Sequence, residues 1–146
     1  MELNFSNYLE EKILTDYIIN DNVYFAIFGN LAGESKTADE ILSELEYGDL
    51  NSEIVGYTGN RKELLYTTVA QDKISDTGEY IDSKGETKND NSILLEDLPE
   101  CEILAVAIMD GLSAGNVLFY TEITPQEKTA GSDFDVKAEQ FILKTD

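Results

Sequence analysis

Residues 103–146 alternate between apolar runs and small polar corners: ILAVAIMD, GLSAGN, VLFYTEI, TPQEKTAGSD and FDVKAEQFILKTD. Short runs rich in β-branched and aromatic residues, separated by Gly, Asn, Ser and Asp, are the pattern of consecutive strands. The spacing predicts a strand over 103–109, a glycine-containing turn over 110–116 and an antiparallel return over 117–123. A loop over 128–133 follows, with Gly131 free to take a positive φ. In the last strand Phe134, Val136, Ala138 and Gln140 share one face. The alternation lapses at Phe141, Ile142 and Leu143, which predicts a bulge or a switch to burial on both faces.

The amino-terminal half mixes two periods. Asn7 followed by Glu10 reads as a capping box, and Leu9, Ile13, Leu14, Tyr17 and Ile18 recur at helical spacing. They predict a helix over about 8–19, stopped by Asn20, Asp21 and Asn22. VYFAIF over 23–28 is apolar on both faces and reads as an interior strand. Over 29–56 two readings stand: a short helix capped by Thr37 and Glu40 and ending at Gly48, or a solvated acidic excursion from a sheet. A turn at Gly59, Asn60 and Arg61 leads into a strand over 63–70, and the acidic stretch 71–92 is expected to hold a short exposed hairpin around Tyr80 and Ile81. A strand at 93–95 ends before Pro99. Six to eight strands after one amino-terminal α-helix predict a mainly β fold, an antiparallel β-sandwich, in a chain of 146 residues that fits one domain.

Composition narrows the chemistry. With Lys+Arg 10 against Asp+Glu 30, the formal net charge of −20 repels a phosphate backbone, so nucleic acid is a poor partner and a basic surface a good one. The chain has no histidine, which removes His-based triads, Cys–His dyads and imidazole metal sites. The glycines at 111 and 115 sit in a hairpin corner and do not open a helix, so no phosphate-binding loop is expected. Cys101 is the single cysteine and lies between Glu100 and Glu102, where like charge disfavours its thiolate; it reads as a packed strand residue. The segment MELNFSNYLEEK lacks the features of a signal peptide, and the longest apolar run is far short of the roughly 20 residues of a membrane helix. The protein is expected to be made in the cytoplasm and to stay soluble, with no membrane partner.

Three weaker candidates remain. Calcium is the one cofactor that oxygen-rich runs could hold, at Asp72 to Glu86 or Asn89 to Asn91, although neither fits an EF-hand; otherwise no cofactor is expected. Asp133 and Asp135 share a strand face and call for a cation or a basic group nearby. Tyr8, Tyr24, Tyr57, Tyr66, Tyr80 and Tyr120 could stack on a sugar in a carbohydrate-binding sandwich or a two-carboxylate glycosidase, but no motif stands behind either.

Two stretches carry a resemblance. SNYLEEKILTDYIINDNVYFAIF over 6–28 is similar to the opening of a family of small virion proteins of tailed bacteriophages, tail-fibre-like or head-decoration-like, in which a helix precedes an apolar strand. In ILAVAIMDGLSAGNVLFYTEI, Asp110, Gly115, Asn116, Leu118, Phe119 and Tyr120 resemble that family's strand–turn–strand hairpin, and Lys128, Gly131, Asp133 and Phe134 its next turn. The family's Gly-rich corner, ending in an aromatic and a basic residue, is echoed at Gly59, Asn60 and Lys62. The resemblance implies a non-enzymatic β-sandwich built into the virion, as a capsid decoration or cement subunit or, alternatively, a tail-fibre or tail-adaptor protein. The implied partners are the major capsid protein or another virion protein, and further copies of the chain, in a small ring such as a trimer. The helix stripe and the last strand are the surfaces expected to adhere, through Leu9, Ile13, Tyr17, Phe141 and Leu143.

Overall fold

β1 (Val23–Leu31) is the strand around which the rest is arranged, because residues 25–30 are buried on both of its faces. The computed structural model of the chain describes residues 1, 3, 6–59, 61–66, 73–74, 80–81 and 86–144. β1 pairs on one side with β2 (Lys62–Leu64) and on the other with β7 (Cys101–Met109), both antiparallel, and β7 pairs in turn with β8 (Val117–Lys128). The sheet order is therefore β2-β1-β7-β8. Alternation sends Ala26 and Phe28 of β1, with Ala105, Ala107 and Met109 of β7, to one face. There they pack against Ile41 and Leu45 of α2 (Ala38–Glu46). The alanines matter: small side chains on the sheet let a helix approach closely. On the opposite face, the Phe25 ring stacks on Phe134 with centroids 5.9 Å apart. Phe134 belongs to a second antiparallel pair, β6 (Ile93–Leu98) with β9 (Ser132–Val136), whose inward residues Ile93, Leu95, Leu98, Phe134 and Val136 are all buried. Helix, sheet and ribbon thus form three layers.

These elements make up one of two compact units, Val23–Leu64 with Ile93–Val136. The other collects Met1–Asn22, Leu65–Ser92 and Lys137–Asp146. It opens with α1 (Asn7–Leu14), which runs into a π-helical turn over Thr15–Ile19. It also contains a small antiparallel pair of β3 (Lys73–Ile74) and β4 (Tyr80–Ile81), and another of β5 (Glu86–Lys88) with β10 (Ile142–Lys144). α1 touches β5.

The fold class is mainly β and antiparallel, with a helix at the amino terminus, as the pattern predicts. Local differences are instructive. The first helix begins at Asn7, and its cap is Ser6, whose Oγ accepts the Leu9 N–H at 3.2 Å. Of the two readings over 29–56, the helix is realised: Thr37 Oγ1 accepts the Glu40 N–H at 3.2 Å, and Gly48 takes φ +76° just beyond the end. Strand β6 runs on to Leu98 through a bulge that sets Asp97 at φ +59°, and β8 reaches Lys128. β8 tolerates Pro125 because it is the edge of its sheet. The strand expected over 63–70 is Lys62–Leu64; 67–70 lie outside the described residues, as do most of 71–85 apart from the β3–β4 hairpin.

One expectation is corrected outright. The closing run from Phe134 is not one strand: β9 ends at Val136, the chain turns over 137–140 with Glu139 at φ +64°, and β10 joins a different sheet. Asn89, fully buried, makes this turn. Its Nδ2 donates to the carbonyls of Asn91 (2.8 Å) and Lys137 (2.9 Å), and its Oδ1 accepts the Phe141 N–H (2.8 Å). Its backbone carbonyl accepts the Glu139 N–H at 2.7 Å. The lapse in alternation at Phe141 thus marks a change of sheet and not a bulge. Asn89→Ala leaves two backbone carbonyls and one N–H without these partners, so a loss of about 3 kcal/mol is expected in denaturant unfolding. A loss under about 0.5 kcal/mol would show that the turn stands without it.

Candidate interaction surfaces

Arg61 is the chain's single arginine and its side chain is only 3% exposed. A buried guanidinium must have every face of its fork satisfied. Nε donates to Glu53 Oε2 at 2.7 Å and Nη2 to Glu53 Oε1 at 2.6 Å, a two-pronged ion pair. Nη1 donates to the carbonyls of Gly111 (2.8 Å) and Ala114 (2.7 Å). One side chain therefore ties three segments together: the loop after α2, the turn before β2 and the β7–β8 corner. The corner is fixed a second time by Asp110, whose Oδ1 accepts the Asn116 N–H (2.6 Å) and whose Oδ2 accepts Asn116 Nδ2 (2.9 Å). Those two hydrogen bonds hold the Asp110 carboxyl below its ordinary range. Ala114 and Gly115 complete the corner at φ +52° and +80°.

Between these braced loops lies a cleft of about 290 Å³, lined by the buried Tyr57 and by Gly56. Val55 and Leu112, 61% and 45% exposed, stand on its rim. Rigid loops carrying exposed apolar residues suit contact with a partner. The sequence placed Arg61 in a turn with Gly59 and Asn60 and gave it no bracing role; the structure gives it one. A lone arginine between turn glycines and a strand was the available signal.

At the other end of the same sheet the charge is crowded. Glu102 of β7 and Glu127 of β8 are direct cross-strand partners, an opposition that costs stability. Together with Glu34 and Glu100 they surround a cleft of about 490 Å³, where Lys128 is the one basic lining residue. Cys101 also lines it and is 6% exposed. Burial raises the thiol's pKa, opposed in part by Lys128, so desolvation and not the flanking glutamates keeps it protonated.

The five residues expected to adhere all fall in the unit that holds α1. Leu9 and Tyr17 are 40% and 60% exposed and Ile13 is half-buried, while the inward positions of that helix are Leu14 and Ile18. Phe141 is half-buried; Leu143 is 5% exposed and paired with Thr87 inside the unit. Of the tyrosines considered for sugar stacking, Tyr57 and Tyr66 are buried, which pushes the Tyr57 hydroxyl up to about 12 and raises that of Tyr66 as well. Tyr8 and Tyr120 are exposed. In the oxygen-rich run at 89–91, Asn89 and Asn91 spend their Oδ1 atoms on the Phe141 and Leu65 N–H groups. The run at 72–86 falls mostly outside the described residues. Among the described residues no group of three or more Asp, Glu or Cys side chains is placed to hold a metal ion. Asp133 Oδ1 accepts the Asp97 N–H at 3.2 Å, closing the β6 bulge.

No protein-family model, curated protein or solved structure matches this chain.

Removing one partner of the buried pair strands the other. Arg61→Ala should cost about 3–5 kcal/mol in chemical denaturation, and Arg61→Lys should recover little, since an ammonium cannot reach four acceptors in a planar fork. Acid should loosen the corner. Because the folded Asp110 pKa is depressed from 3.8, its contribution is complete above that value and is lost as pH falls through the lower folded one. The melting temperatures of wild type and Asp110→Asn should therefore differ at neutral pH and converge in strong acid; a constant difference would contradict this.

Proposed function

We propose that the chain is a non-enzymatic structural protein of a tailed-bacteriophage virion, seated on the head surface as a capsid decoration or cement subunit. Its partner is a basic patch of the major capsid protein or of another virion protein. The observation that carries this reading is the carboxylate cluster at the end of the four-stranded sheet, where Glu102 and Glu127 face each other beside Glu34 and Glu100. A fold that tolerates directly opposed like charges gives up stability there, and a basic counter-surface returns it on docking. The chain's net charge of −20 adds long-range attraction to such a surface. The resemblance over 6–28 and 103–123 supports the virion assignment, and those stretches form α1 with most of β1, and the β7–corner–β8 hairpin.

Quantitative mass spectrometry of purified particles tests the placement. A decoration subunit is present in copies comparable to the major capsid protein and is released by raised salt. A tail adaptor or fibre subunit is present in far fewer, and absence from the particle contradicts the proposal. The cluster has its own test. Glu102→Gln with Glu127→Gln should stabilise the free protein by about 0.2–1 kcal/mol and yet lower its occupancy on particles. Unchanged occupancy would remove the cluster from the docking surface.

A further inference from the structure

Among the described residues, β8 is the one long strand at an open edge. Its 12 residues pair, among the described residues, with β7 alone. An unpaired edge offers a row of N–H and C=O groups to any extended chain, and folded proteins blunt such edges with charge or proline. Here the protection is confined to one half. Glu122, Pro125, Glu127 and Lys128 guard the far end, whereas Val117–Thr121 carries no charge at all. In that unguarded window Leu118 and Phe119 are half-buried, and Tyr120 is 42% exposed.

We infer that this window is the seam of a two-fold dimer, in which β8 pairs antiparallel with β8 of a second copy. Set against itself about an axis at Phe119, the strand places Val117 opposite Thr121 and Leu118 opposite Tyr120. Glu122 then falls opposite Asn116, so no like charges meet. Sliding the axis to Glu122 would oppose that carboxylate to itself, which keeps the axis within the uncharged window. A basic ribbon gains nothing from a stretch without charge, so the edge favours a neutral, β-forming strand, and the chain's own is such a strand. The two sheets would merge into one of eight strands, closed by symmetry and therefore not propagating. The inference does not rest on the capsid reading, and it gives a pair where the sequence expectation was a ring of three.

Salt separates the two kinds of contact. Docking of an acidic chain on a basic surface weakens as salt rises, whereas pairing of two chains of charge −20 strengthens as their repulsion is screened. Sedimentation equilibrium should show a species of twice the 16.3 kDa chain mass whose dissociation constant falls as NaCl is raised to ~0.5 M. Hydrogen exchange should show concentration-dependent protection of the 117–121 amides. Tyr120→Lys and, separately, Thr121→Lys place an ammonium on the seam twice per dimer and should weaken it about tenfold or more, with the monomer's melting temperature unchanged. A monomer at every concentration and salt overturns the inference. So does a dimer protected elsewhere, or one indifferent to both variants. Protection of 117–121 that arises only on the particle also overturns it, in favour of a strand from another protein.

Discussion

The β1–β7 pair is the constraint from which the larger unit follows. Over residues 25–30 and 103–109 both strands are buried on both faces, so each must be covered twice, by α2 on one side and by the β6–β9 ribbon on the other. The pair is also unusually close at one point. A side-chain carbon on Gly29 would run into the carbonyl oxygen of Glu102, at the bulge where the register shifts between Phe28 and Gly29. That close approach brings Asn30 and Leu31 to the same end of the sheet as Glu102, and so helps to build the carboxylate-lined cleft.

From this spine the loops inherit their positions. β7 delivers its carboxyl end to the corner braced by Arg61 and Asp110, and its amino end to the cleft around Glu102. Two opposite strategies of polar chemistry therefore sit at the two ends of one strand. At the corner every charge is partnered and the loops are held rigid. At the cleft carboxylates are left facing one another, a local frustration of the kind that binding relieves. A third cluster ties the loop before α2 to the segment after it: Glu44 of α2 accepts from Lys36 Nζ and from Ser52 Oγ, both at 2.6 Å. Burial alone would raise the Glu44 pKa, but the Lys36 and Ser52 hydrogen bonds outweigh it and lower the value.

Much of this was legible in the residues, for a physical reason: burial writes itself into hydropathy. VYFAIF and ILAVAIM read as interior strands because nothing polar interrupts them, and of the two readings open over 29–56 the Thr37–Glu40 signature carried the one that α2 realises. What the pattern could not show were the contacts that join distant positions. Asn89 looked like a member of an oxygen-rich loop, and only its hydrogen bonds to residues about fifty positions away show why the closing run breaks into two strands. Arg61 read only as part of a turn, because side-chain direction at a turn has no period to reveal its contacts. The opposition of Glu102 to Glu127 depends on the β7–β8 register, which shifts twice along its length. Alternation within either strand carries no trace of it.

The proposed docking rests on one surface, the acidic end of a braced β scaffold. Electron cryo-microscopy of intact particles tests it most directly, by placing the chain and giving its orientation. Density for the chain is expected on the head, with the Glu34, Glu100, Glu102 and Glu127 end turned towards basic residues of the underlying shell. A chain seated with that end open to solvent, or found on no part of the particle, would contradict it.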